Sequence, residues 1–171
     1  KYYMPKKFEN LLNIFTDKKD GNLAFHVDDD EKKVDENHLL LSKKLGFNKD
    51  SLVYMKQIHS DTVVVVKDEN YKNPPTCDAL ITNKPNTPLM VMMADCAGVL
   101  FYDDKNKVIA AIHVGRAGAF KNIINNTLVA MQKEFCTEPK ELHVSISANI
   151  GFCCYEVGNE IYEEAKKLNL L

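Results

Sequence analysis

Between Leu52 and His113 the apolar residues come in runs of strand length, each closed by a turn signal, and this habit leaves little choice of architecture. Val53, Met55 and Gln57 alternate with Tyr54, Lys56 and Ile58, and Val63-Val64-Val65-Val66 is a β-branched run whose pattern suits a strand buried on both faces. Asn73-Pro74-Pro75-Thr76 marks a loop. The runs Ala79 to Thr82, Leu89 to Met93, Val99 to Tyr102 and Val108 to His113 follow, parted by Asn83, Pro85 and Pro88, by Ala94-Asp95-Cys96-Ala97-Gly98 and by Asp103-Asp104-Lys105-Asn106. Gly115 and Gly118 break the last of them, and the period then changes. Phe120, Ile123, Ile124, Leu128 and Met131 recur at helical spacing, which predicts a helix to about Phe135 packed on the sheet. A strand from Leu142 to Ala148, with Leu142, Val144 and Ile146 alternating with His143, Ser145 and Ser147, precedes a charged helix from Asn159 to Leu168. Upstream, Asn37 to Leu45 reads as a helix with Leu39, Leu40, Leu41 and Leu45 near one face and Gly46 as its stop, and Asp28-Asp29-Asp30-Glu31 reads as a solvated turn. The expectation is an α+β (mixed α/β) fold: a mixed β-sheet core with helices packed outside, in a single domain over residues 1–171.

Composition narrows the classes of function. With 45% hydrophobic residues in a chain of 171, there is material for a real core, which excludes disordered and fibrous classes. Lys plus Arg is 22 against 24 for Asp plus Glu, a net charge of −2, so no global basic field favours nucleic acid or an anionic membrane surface. The longest mainly apolar run, Pro88 to Tyr102, is interrupted by Asp95 and falls short of the roughly 18–20 residues that span a bilayer. The Lys1-Tyr2-Tyr3-Met4-Pro5-Lys6-Lys7 start does not read as a secretory signal. Five cysteines, an odd number with Cys153 and Cys154 adjacent, make a poor disulfide framework and point to a reducing, cytoplasmic setting.

Three borderline-soft ligands stand at strand ends, where side chains from distant positions converge: His59, Cys96 and His113. Two imidazoles and a thiolate are one of the recognised three-ligand sets for catalytic zinc, with a fourth position left for water. No short CxxC or HExxH spacing fixes this geometry, so two other readings stay open. The histidines serve equally as hydrogen-bonded structural residues beside a small buried Cys96, or Cys96 is a nucleophile with His59 or His113 as its base. Arg116, the single arginine, sits in His113-Val114-Gly115-Arg116-Ala117-Gly118 directly before a helix, the setting of an anion clamp. Asp95, beside Cys96, is placed to orient a ligand histidine from behind. His26, His38 and His143 are assigned structural or surface roles, and Cys153 and Cys154 are read as packed thiols.

The strings Gln57-Ile58-His59, Cys77-Asp78-Ala79-Leu80-Ile81-Thr82, Ala94-Asp95-Cys96, Ala111-Ile112-His113-Val114-Gly115 and Ile150-Gly151-Phe152-Cys153-Cys154-Tyr155-Glu156-Val157-Gly158 resemble, in order, the signatures of the YfiH family. That family is also known as the multicopper polyphenol oxidase or laccase domain, as YfiH-type purine nucleoside phosphorylase and as peptidoglycan editing factor. The resemblance implies zinc at His59, Cys96 and His113. It also implies phosphorolysis of adenosine, inosine or methylthioadenosine, with adenosine deamination as a further activity; the substrates are then a purine nucleoside and phosphate. The older label implies copper and phenol oxidation, but a multicopper oxidase needs many histidines, and three of the five here are already used. A cysteine hydrolase or amidase acting in peptidoglycan-precursor editing through Cys96, and a non-enzymatic metal-dependent binding partner, are the alternatives. Where the family reads His-Ala-Gly-Trp-Arg-Gly this chain has Ala117 after an arginine set one place earlier, and its Asp-Cys-x-Pro ends in Gly98. Family members continue past the equivalent of the last helix, so a closing C-terminal segment is expected to be lacking here.

Overall fold

The computed structural model describes residues 8–67 and 73–170. Its fold is mixed α/β, as the alternating runs require. Strands β1 (Val53–Tyr54), β2 (Val63–Val65), β3 (Ala79–Thr82), β4 (Leu89–Met90), β5 (Ala97–Asp103), β6 (Val108–Val114) and β7 (Leu142–Ile146) alternate with helices α1 (Glu31–Leu45), α2 (Arg116–Phe120), α3 (Ile123–Phe135) and α4 (Asn159–Lys167). Five strands form one sheet in the order β2-β3-β6-β5-β7, with β2 parallel to β3 and every other neighbour antiparallel. β1 and β4 pair separately, in parallel.

Alternation along the strands divides the core into two layers. Ala79 and Ile81 of β3, Val108, Ala110 and Ile112 of β6, and Val99 and Phe101 of β5 face α3, meeting Ile123 and Met131. Leu80 points the other way, into a second cluster with Val53, Met55, Val66 and Cys77. Every residue of β3 is therefore buried, as are its flanks Cys77 and Asp78. Burial pushes the Cys77 thiol up to about 12, so it is a packing group and not a nucleophile.

Several boundaries differ from the sequence reading, each for a physical reason. α1 starts at Glu31, and Asp30 is its N-cap, accepting from the Lys32 N–H at 2.9 Å. Its buried stripe is Val34, His38 and Leu41, while Leu39 and Leu40 are exposed. His38 sits in that stripe because its Nε2 meets the Leu23 carbonyl oxygen at 2.8 Å, and a hydrogen-bonded histidine is invisible to an apolar count. The Gly46 stop is as expected, left-handed with φ 77° and its N–H on the Ser42 carbonyl. β2 lies at one end of the strand order and is only half-buried, so Val63 to Val65 are not covered on both faces; Val66, beyond the strand, is the buried valine. The helix expected from Phe120 to Phe135 is broken by Asn122, left-handed at φ 61°. In β7, at the end of the strand order, only Leu142 of the apolar set packs on the core; Val144 and Ile146 are exposed, and Ser145 is buried. The inner face there is held by Asn13, whose Nδ2 donates to Ser145 Oγ at 2.9 Å, and by Ser147 Oγ, which accepts the Gly98 N–H at 2.9 Å.

Candidate metal centre

The antiparallel β5–β6 pair brings Cys96 and His113 together. Ala97 pairs with Val114 and Gly98 with His113, so Cys96, one residue before β5, lies at the end of β6 where His113 sits. β3 adds Asp78 in front of Ala79, opposite Ile112, and the Asp78 carbonyl accepts the His113 N–H at 2.7 Å. His59 arrives from the loop after β1. Its predecessor Gln57 fixes that loop, because the Gln57 amide donates to the Met92 carbonyl at 2.7 Å and accepts the Met92 N–H at 2.9 Å, replacing a strand pairing with one side chain.

Asp78 organises the rest. Its fully buried carboxylate accepts the N–H groups of Ile58 (3.3 Å), His59 (3.0 Å) and Ser60 (2.7 Å), the Ser60 hydroxyl (2.7 Å), and His113 Nδ1 (2.8 Å). Burial alone would raise this carboxyl. The His113 and Ser60 hydrogen bonds, with those of the loop backbone, outweigh it and hold the group below its ordinary value. An ionised Asp78 can only accept, so Nδ1 of His113 carries the proton and Nε2 presents its lone pair. The same carboxylate wraps the loop so tightly that His59 adopts φ 57°, a left-handed conformation costly for a branchless but bulky side chain. One buried charge thus sets the ring of one histidine and the backbone of the other. This is the positioning task the sequence reading gave to Asp95; Asp95 instead lies exposed, with its carbonyl accepting the Ile150 N–H at 2.9 Å.

The donor atoms of His59, Cys96 and His113 all lie within 4.8 Å of one another, and Cys96 Sγ is 3.9 Å from His59 Nε2. In a tetrahedral zinc site with bonds of about 2.0–2.3 Å, donors sit about 3.3–3.8 Å apart, so the Cys96–His59 pair is near that spacing and the set as a whole closes by no more than about 1–1.5 Å to hold an ion. The space between the donors is kept clear by Gly115, where an added Cβ would stand 2.8 Å from His59 Cδ2, 3.2 Å from Cys96 Sγ and 3.6 Å from His113 Cε1. A cradle emptied by a missing side chain, ringed by two imidazoles and a thiol, fits an ion of the zinc class. His113 forms its floor, Cys96 is half-buried and His59 is exposed, so the cradle opens toward solvent on the His59 side. Burial, and after it the Asp95 and Asp78 charges, pushes the Cys96 thiol up from its ordinary value.

Arg116 begins α2 beside Gly115, as expected, but its guanidinium is engaged: Nη1 is 2.9 Å from Glu164 Oε2 of α4, and Cζ lies 5.7 Å from the centre of the Phe120 ring. Gly98 gives its N–H to Ser147 and leaves the place of a Cβ to the Met93 methyl, an arrangement closed to the proline of the resembled motif. His38 is tied to Leu23, and His143 packs on Phe8 with ring centres 4.5 Å apart, so both are structural. Sequence reasoning overlooked Asp78 and Gly115 as site residues. An aspartate pressed between Cys77 and the apolar run Ala79-Leu80-Ile81 was the available signal, since a carboxylate there must be buried and must be paired.

Comparison with known proteins agrees with this architecture. A family model described as multi-copper polyphenol oxidoreductase laccase matches residues 16–170. Among curated relatives, a purine nucleoside phosphorylase of Clostridium acetobutylicum is 32% identical over 96% of this chain and 67% of its own length, and one of Campylobacter jejuni is 35% identical over 96% and 73%. A purine nucleoside phosphorylase of Corynebacterium glutamicum is 38% identical over 80% of this chain, which spans 56% of that relative. The solved structures of YlmD from Geobacillus stearothermophilus (TM-score 0.81, 25% identity, 85% of this chain and 57% of that one) and of the hypothetical protein YfiH from Bacillus licheniformis (0.79, 27%, 86% and 58%) share the fold. The chain thus spans little more than half the length of those structures. With the match running nearly end to end and relatives above 30% identity, the chain belongs to the YfiH family, whose model carries the laccase description.

Proposed function

We propose that the chain carries the metal centre of a zinc-dependent purine nucleoside enzyme, with His59, Cys96 and His113 as the ligands and phosphorolysis of adenosine, inosine or methylthioadenosine as the reaction. The observation that carries this reading is the convergence of three zinc-type donors on the cradle left by Gly115. The names of the relatives, purine nucleoside phosphorylases, support the substrate class. Zinc bound there would supply Lewis acidity at neutral pH, and the site is open to solvent on the side of the exposed His59.

The chain's own residues do the positioning. Asp78 keeps the His113 Nδ1 proton in place and aims Nε2 inward. Arg116, on exchanging Glu164 for phosphate, holds two of its oxygens, and Asp95 at the exposed rim is the candidate proton carrier for the purine, including in adenosine deamination. The small net charge leaves anion binding to this local turn. The five free cysteines suit a cytoplasmic setting, and no helix among the described residues is long and apolar enough to cross a membrane.

A multicopper centre is disfavoured because, among the described residues, His59, Cys96 and His113 form the one metal-spaced group, and His38 and His143 are engaged elsewhere. The Cys96–His59 distance also permits a nucleophilic dyad. Against it stands the raised thiol, where a nucleophile needs a lowered one.

The test incubates zinc-loaded protein with inosine, adenosine and methylthioadenosine, with and without inorganic phosphate, and separates the bases by chromatography. Free base that appears only with phosphate, and is lost in Cys96→Ala, is the expected result. Metal-loaded protein that turns over none of these nucleosides would sink the proposal. Hydrolysis of muropeptides that is abolished by alkylating Cys96 in metal-free protein would replace it with the cysteine-hydrolase reading.

A further inference from the structure

The segment after Ala148 holds a second sulfur site. Ile150 is pinned by its N–H to the Asp95 carbonyl, and the next four residues close a turn in which the Cys154 N–H donates to the Gly151 carbonyl at 3.0 Å. Contrary to the sequence reading, Cys153 and Cys154 are not packed. Both are exposed, and the neighbouring Phe152 is 99% exposed. Their Sγ atoms lie 3.4 Å apart on the same side of the turn, and Cys153 Sγ folds back to within 3.6 Å of where a Cβ on Gly151 would be. The two thiols are therefore adjacent and open to solvent.

The donor count points to the ligand: among the described residues no third His, Cys, Asp or Glu stands at metal-holding distance from this pair. Sulfurs 3.4 Å apart, bonded to one centre at about 2.3 Å, subtend roughly 95° there, whereas tetrahedral zinc holds its sulfurs about 3.8 Å apart and asks for two more ligands. Linear Cu(I) would need them farther apart still, at the sum of two bonds. We propose that Cys153 and Cys154 form a chelating dithiol for a pyramidal, three-coordinate thiophilic centre, of which trivalent arsenic bearing one organic group is the simplest. With an arsenic oxide of that type, two As–S bonds form and the As–O bond breaks. The two thiol protons leave with that oxygen as water, and no electrons change hands.

The experiment adds phenylarsine oxide to the zinc-loaded protein, then an excess of a simple monothiol, and reads the intact mass and the zinc content. One phenylarsenic unit per chain that survives the monothiol, is removed by a dithiol, and leaves zinc bound is the expected result. Cys153→Ser and Cys154→Ser should each lose the monothiol-resistant adduct, while Cys96→Ser and Cys136→Ser keep it. An adduct that persists in Cys153→Ser and Cys154→Ser, that disappears in Cys96→Ser, or that yields to monothiol in the native chain would overturn the assignment.

Discussion

Replacing Asp78 by alanine is expected to cost about 3–5 kcal/mol of stability, the upper range for breaking a buried hydrogen-bond network, and to abolish metal binding at ordinary zinc concentrations. The size follows from what is orphaned. The N–H groups of Ile58, His59 and Ser60 and Nδ1 of His113 would all lose an acceptor, the last of them on a buried ring. Asp78→Asn separates the two effects. It keeps the volume but presents an N–H to either the loop or His113, so the metal-free protein should still fold while zinc affinity falls by about 10–100-fold. Urea unfolding of metal-free protein and competition with a chromogenic chelator read the two quantities independently. The sign of the pH dependence is fixed as well. With its carboxyl held below the ordinary value, Asp78 contributes fully above the unfolded aspartate range of about 4, and that contribution is lost as pH falls through the lowered value. The native urea midpoint should therefore drop on acidification, and the Asp78→Asn midpoint should drop less.

Gly115→Val is the second large effect, and it should act on the metal alone. Gly115 has φ −82° and ψ 170°, extended backbone that valine adopts without strain, so the cost falls on the side chains its Cβ meets. The new Cβ, 2.8 Å from His59 Cδ2 and 3.2 Å from Cys96 Sγ, stands where the donors must close in. His59, on the exposed rim, is the group free to move away. Zinc affinity should fall by on the order of 100-fold with the thermal midpoint of the metal-free protein nearly unchanged, the scale on which misplaced ligands are felt. A Gly115→Val protein that binds zinc as the native chain does would show that the donors close elsewhere.

Much of this was legible in the sequence where local signals and tertiary structure agree. β3 carries the expected bounds, and β5 and β6 contain the expected runs, because each apolar stretch is terminated by residues that cannot continue a strand. Cys96 and His113 were legible as neighbours because the ends of β5 and β6 meet in one sheet, whereas His59 joins them from the loop after β1. What stayed hidden depended on residues far apart in the chain. The inward face of β7 is polar because Asn13 and Gly98 reach its serines. Arg116 was read as an anion clamp, and nothing local announces that Glu164 in α4 holds its guanidinium. Asp78 looked like one end of a strand motif, and its importance comes from the loop at 58–60 folding around it, a contact between residues about twenty positions apart.

The most direct measurement is X-ray absorption at the zinc edge of the protein reconstituted with one equivalent of zinc, on the native chain and on Cys96→Ser. This account predicts, for the native chain, one sulfur at about 2.3 Å and imidazole nitrogens at about 2.0–2.1 Å, with the sulfur shell gone in Cys96→Ser. Two sulfurs around the zinc, or a sulfur that remains in Cys96→Ser, would contradict it and place the metal away from His59, Cys96 and His113.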